Sequence, residues 1–233
     1  MRKAIVFMIL TAVCAALYAG DVANFVELGF SPDGKTFAFG QYGTDSKTLS
    51  PYGDLFFVDV AKNEFVPGAN VSVSPAESGR QDPAALFESL KSRASLSMKR
   101  LSIGTGGTDG AVNSGRAVYA EEVSVPRSDG LSMHFRDFET GNRYSISLHQ
   151  LVRGENADVS SSFYITAKIT DSEGNTVTKT VGHPDFRRAG VLGYRISRIL
   201  TDGTNRALVF VVEKEMFNED GSSVRYMVET LYL

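Results

Sequence analysis

The segment Phe163-Tyr164-Ile165-Thr166-Ala167-Lys168-Ile169-Thr170 alternates apolar and polar side chains without a break. Successive side chains of an extended chain point to opposite faces, so this run sets one face on a core and one in water. Residues 171–175 supply turn formers, and residues 176–181 return with Val177 and Val181 on one face, which predicts a hairpin. Leu208-Val209-Phe210-Val211-Val212 is apolar at every position and reads as a central strand covered on both faces.

Two further hairpins follow from the same logic. Residues 131–138 and 143–151 flank Glu139-Thr140-Gly141-Asn142. Pairing Phe138 with Arg143 gathers Met133, Phe135, Tyr144, Ile146 and Leu148 on one face, and a one-residue slip would expose all five. Residues 206–217 join residues 224–231 through a loop at 218–223. One segment argues for a helix: Asp82 is a capping residue, Pro83 suits the first helical position, and Leu86, Leu90 and Ala94 recur four apart. Lys91 and Arg93 stand where the helix dipole favours cations. The glycine-rich stretch at 104–115 lacks G-x-x-x-x-G-K-[ST] and precedes a strand, so it reads as a loop connection and not a phosphate cradle.

At the N-terminus, Arg2 and Lys3 precede an uncharged apolar run over residues 4–17, with small residues at Ala19 and Gly20. This is the layout of a secretory signal peptide, and the run is shorter than the about 20 apolar residues a membrane span needs. Cleavage after Ala19 divides the chain into a leader at 1–19 and a single all-β domain at 20–233. No transmembrane helix is expected in the processed chain. Cys14 is the only cysteine, so that chain would have no disulfides and no thiolate metal ligands. The alternative is a lipoprotein anchored through Cys14, although Val13 and Thr11 are not the residues a lipidation site prefers.

The whole chain has 233 residues, 42% hydrophobic and 22% charged, which suits an ordinary globular core. Its formal charge of −3 becomes two units more negative without Arg2 and Lys3, which argues against a nucleic-acid partner.

Phe30-Ser31-Pro32-Asp33-Gly34-Lys35-Thr36-Phe37 places a tight Pro-Asp-Gly turn between two strands. It resembles the blade motif of WD-like bacterial propellers, including the periplasmic propeller of the Tol system. Weaker echoes stand at Asp129-Gly130 and Asp202-Gly203. The intervals between Gly34, Gly130 and Gly203 are 96 and 73 residues, too irregular for blades of about 40–50 residues. The expectation is therefore an all-β fold of antiparallel, blade-like sheets with one short helix. A β-sandwich or irregular barrel is the alternative, and the first and last repeats are candidates to pair and close the domain.

Leu28-Gly29-Phe30-Ser31-Pro32-Asp33-Gly34, Phe37-Ala38-Phe39, Gln41-Tyr42-Gly43, Pro51-Tyr52 and Val58-Asp59-Val60 also resemble a family of predicted secreted proteins from Gram-negative bacteria and related groups. The resemblance is concentrated in residues 22–66. It implies export and carries no established activity.

Chemistry is sparse. In the register above His134 faces Ser147 on the wet face, while Asp137 points the other way, which breaks the simplest triad. His149 and His183 have no partner in the pattern, and no cofactor or metal site is expected. The acidic turns at 171–175 and 218–220 lack calcium-loop spacing. Five arginines fall between 187 and 206: Arg187, Arg188, Arg195, Arg198 and Arg206. The first four are the candidate contact for an anionic envelope polymer or acidic protein face, against the alternative of a solvated strand edge. The functional expectation is a non-enzymatic, secreted or periplasmic binding module. The rivals are a hydrolase assembled only in space, with carboxylates such as Asp33 and Asp59, and a structural envelope lipoprotein.

Overall fold

The structure is a computed structural model that describes residues 20–104, 113–120, 131–219 and 221–233. An N-terminal sheet is a meander of β1 (Asn24–Phe30), β2 (Thr36–Thr44) and β3 (Pro51–Asp59), with β4 (Glu64–Phe65) and β5 (Val71–Val73) both beside β3. Two helices follow, α1 (Pro83–Arg93) and α2 (Ser95–Arg100). An outer sheet holds β7 (Leu131–Arg136), β8 (Arg143–Arg153), β9 (Ser160–Thr170) and β10 (Thr176–Gly182), with β11 (Arg188–Ala189) pairing the start of β9. A central sheet has the order β14-β13-β12-β6, from β6 (Arg116–Ala120), β12 (Val191–Thr201), β13 (Ala207–Asn218) and β14 (Gly221–Tyr232). Every strand pairing in the three sheets is antiparallel.

The doubly apolar strand explains the layering. Leu208, Phe210 and Val212 of β13 pack with Tyr144, Ile146, Leu148, Phe163 and Ile165 of the outer sheet. Ala207, Val209 and Val211 point the other way, onto Phe30, Phe37, Phe39, Val58 and Val60 of the N-terminal sheet. All six of these β13 side chains are fully buried, and each large one removes about 1.5–3 kcal/mol worth of apolar surface from water. The central sheet is thus covered on both faces, which forces a three-sheet stack.

The far face of the N-terminal sheet is closed by the helices, with Leu28, Ala38, Leu55 and Phe57 meeting Ala94 and Ile103. Asp82 caps α1 by accepting the Ala85 N–H at 2.9 Å, as expected from its sequence. Gly40 lets the helix approach, because a Cβ there would lie 2.4 Å from the Phe87 ring.

Several expectations are corrected. Among the described residues there are two helices rather than one: Ala94 keeps right-handed backbone angles between them, and nothing in Ser95–Arg100 disfavours a helix. The β7–β8 hairpin pairs Arg136, not Phe138, with Arg143. That two-residue shift preserves the faces, so Tyr144, Ile146 and Leu148 are buried as expected. Asp137 opens the turn, its N–H donating to the Asn142 carbonyl and its carboxylate accepting from the Glu139 N–H, the Thr140 hydroxyl and Arg116, and Phe138 is left exposed. The β13–β14 turn is tighter than expected, with Asn218 opposite Gly221 and Ser222 and Ser223 already in β14. The antiparallel sheets themselves are as expected, and they take the sandwich alternative, a stack with no closed barrel among the described residues. The first and last sheets meet face to face through side chains. The expected leader, Cys14, the Gly130 echo and most of the glycine-rich loop lie outside the described residues.

Candidate functional site

The five arginines diverge in the fold. Arg195 and Arg198 project toward the N-terminal sheet: Arg195 is ion-paired with Glu213, and Arg198 lies 5.7 Å over the Phe25 ring. Arg206 donates to Thr204 and lies over Tyr232 at the opposite end of β13. Only Arg187 and Arg188 sit together, where the chain enters β11. Arg187 is exposed, whereas Arg188 is half-buried.

Arg188 stands in an aromatic box. Its guanidinium carbon is 5.3 Å from the Phe163 ring, 5.8 Å from Tyr194 and 5.0 Å from Phe186. Phe163 and Tyr194 belong to the core between the outer and central sheets, so Arg188 caps the open end of that core. Ring faces attract the cation but do not satisfy its five N–H donors. One nitrogen, Nη1, is sealed from solvent without a hydrogen-bond partner among the described residues.

Lys214 approaches the same end from β13, where it lies directly opposite Tyr194 of β12, one of the rings of the Arg188 box. Period-two alternation places it between Val212 and Met216 on the face that packs against the outer sheet. Its side chain is half-buried and makes no ion pair or hydrogen bond among the described residues. Burial, and then the charges of Arg188 and Arg225, lower its pKa, while the charge of Asp54 opposes the shift. Arg188 and Lys214 thus share one mouth without a paired carboxylate, while Arg225, opposite Lys214 on β14, is ion-paired with Asp21. Lys214 was missed in the sequence reading, although a lysine in phase with Leu208, Phe210 and Val212 was the available signal.

The other titratable groups are committed elsewhere. His134 is opposite Ser145, while Ser147 bonds Ser132 at 2.8 Å, so the expected His134–Ser147 facing does not form. His149 stacks on Tyr164 with centroids 4.5 Å apart. His183 is exposed in the loop before β11. Asp33 accepts from Ser31 at 2.7 Å, and Asp59 pairs with Lys62, so each serves its own turn. Glu229 is buried, accepts a hydrogen bond from the Asn63 amide and has its pKa raised by burial. Asp171 accepts from the Glu173 and Asn175 backbone N–H groups within its turn. Among the described residues no three His, Cys, Asp or Glu side chains converge as a metal cage, and no helix is long and apolar enough to cross a membrane.

Three antiparallel sheets stacked on shared cores define an all-β, sandwich-like class of protein. Within that class, residues 38–232 match the model of the family described as predicted secreted protein (DUF2259), and the chain belongs to that family. The match begins after the turn at Gly34, so membership does not depend on the blade-like segment. No curated protein and no solved structure matches the chain.

Proposed function

We propose that this chain is exported by its leader, processed after Ala19, and acts outside the cytoplasm as a non-enzymatic module that binds an anionic envelope partner. Membership of a predicted secreted family supports the address. The observation that carries the binding reading is the pair Arg187–Arg188, one exposed and one held in an aromatic box without a counter-ion. Loops held by rigid sheets commonly carry recognition. A guanidinium already fixed by three rings loses little rotamer entropy when an anion docks.

The test is capture from envelope extracts with the processed chain and with Arg187→Ala/Arg188→Ala. Selective loss of an acidic protein or polymer from the double variant supports the reading. An unchanged set of captured molecules overturns it.

A further inference from the structure

We infer that Arg188 and Lys214 form a binding site for one oxyanion, a carboxylate, phosphate or sulfate group, at the open end between the outer and central sheets. The inference rests on the binding reading above in placing the anionic contact at Arg188. It goes further by adding Lys214 and by reducing the ligand to a single group of defined chemistry.

The donors at this end are inventoried first. Arg188 makes no side-chain hydrogen bond or ion pair among the described residues, and only its Nη1 is sealed. Its other guanidinium nitrogens therefore reach solvent, as does the Lys214 ammonium. A planar guanidinium edge matches the paired oxygens of a carboxylate, phosphate or sulfate, and an adjacent ammonium adds a point charge to the same oxygens.

The walls set the strength of such a contact. Phe163 and Tyr194 are buried behind the guanidinium, and Phe186 covers it from the loop. Apolar walls lower the local dielectric, so a charge-assisted contact there is stronger than on an open surface.

The neighbouring charges do not fill the role. Glu229 and Asp54 make no ion pair with Arg188 or Lys214 among the described residues: Glu229 accepts from Asn63 and Asp54 from Gln41, while the neighbouring Arg225 is paired with Asp21. Glu213 is paired with Arg195 on the opposite face of the central sheet. The two cations consequently repel each other across the mouth, and an oxyanion between them relieves that repulsion.

The experiment is thermal unfolding of the processed chain in sodium sulfate, phosphate and acetate against sodium chloride, at matched ionic strength and neutral pH. Oxyanions that bind only the folded state raise Tm with the logarithm of their concentration. Wild type and Lys179→Ala, which removes an exposed cation elsewhere, are expected to respond alike. Arg188→Gln and Lys214→Met are each expected to weaken the response about tenfold in concentration, the loss of one charge-assisted contact. Retained circular dichroism in chloride shows that the variants fold. A response to sulfate and phosphate but not acetate assigns the group to a polymer or lipid, and the reverse assigns it to acidic side chains. A response that is absent, or unchanged in both variants, overturns the site. If partner capture fails in Arg187→Ala/Arg188→Ala while wild type shows no oxyanion response, the binding reading stands and this site falls. If the oxyanion response is present but capture is unchanged, the site stands and the binding reading falls.

Discussion

Gly34 and Asp202 meet where the β1–β2 turn docks on the β12–β13 turn: a Cβ on Gly34 would stand 2.6 Å from Asp202 Oδ2. The aspartate is not able to give way easily. Its Oδ1 accepts the N–H groups of Arg206 at 2.8 Å and Ala207 at 2.9 Å, and its Oδ2 accepts from the Thr204 hydroxyl. The two Asp-Gly segments that look like repeated blade turns are thus a contact between two sheets.

Gly34→Ala is expected to destabilise the fold by about 2–3 kcal/mol, combining the left-handed φ of +70° with the clash. Gly68→Ala is the reference, because Gly68 has φ +68° and nothing within 4 Å of its Cβ position. It is expected to cost only about 1 kcal/mol. Urea midpoints of the two variants measure the difference, and equal losses would dismiss the docking contact as an energetic feature.

Arg116→Ala is expected to cost about 2 kcal/mol, because Asp137 is buried and loses both guanidinium bonds, at 2.8 and 2.7 Å. The Arg116 bonds, more than those of Thr140 and the Glu139 N–H, hold the Asp137 carboxyl well below the ordinary carboxylate range. A carboxyl depressed in the folded state contributes stability above its unfolded pKa of about 3.9 and loses it as pH falls toward the folded value. The gap between wild type and Asp137→Asn should therefore be widest at neutral pH and shrink in acid. Denaturation curves at neutral pH and at about pH 3 check this; a gap that grows in acid contradicts it.

Glu229 shifts the opposite way. Burial raises its pKa, and the Asn63 amide, then the charges of His183 and Arg188, only partly oppose that. A raised carboxyl favours the folded state below its unfolded pKa of about 4.3, and that benefit disappears as pH rises through the folded value. Glu229→Gln keeps an acceptor for Asn63 and removes the charge. It is expected to be more stable than wild type at neutral pH, by on the order of 1 kcal/mol, and equal to it near pH 4. Chemical denaturation at both pH values tests the order of stabilities, and a less stable variant at neutral pH refutes it.

Lys214→Met should raise stability in chloride buffer at neutral pH by roughly 0.5–1 kcal/mol. Methionine fits between Val212 and Met216, on the face where the ammonium is disfavoured by burial and by Arg188. A lysine pKa lowered in the folded state means that the penalty is complete below the folded value and fades as pH rises above it. The stabilisation should accordingly diminish in alkaline solution. A melting temperature below that of wild type at neutral pH contradicts the expectation.

Local pattern alone determined the strands, because period-two alternation is a property of neighbouring residues. Residues 163–170, the hairpin at 143–151 and the unbroken apolar run from Leu208 to Val212 could be placed from their own side chains. The helix start was equally local: Asp82 and Pro83 act on the backbone beside them. Arrangement was decided elsewhere. Alternation says that a face is buried but not against what, so it cannot order three sheets or separate a stack from a propeller. The buried Asp137 found its counter-ion in Arg116, 21 positions away. The arginines close in sequence were scattered by strand direction and by partners such as Glu213. Arg188 instead acquired Lys214, which lies two strands further along the chain. Such groupings come from contacts that close long loops, and no window of adjacent residues encodes them.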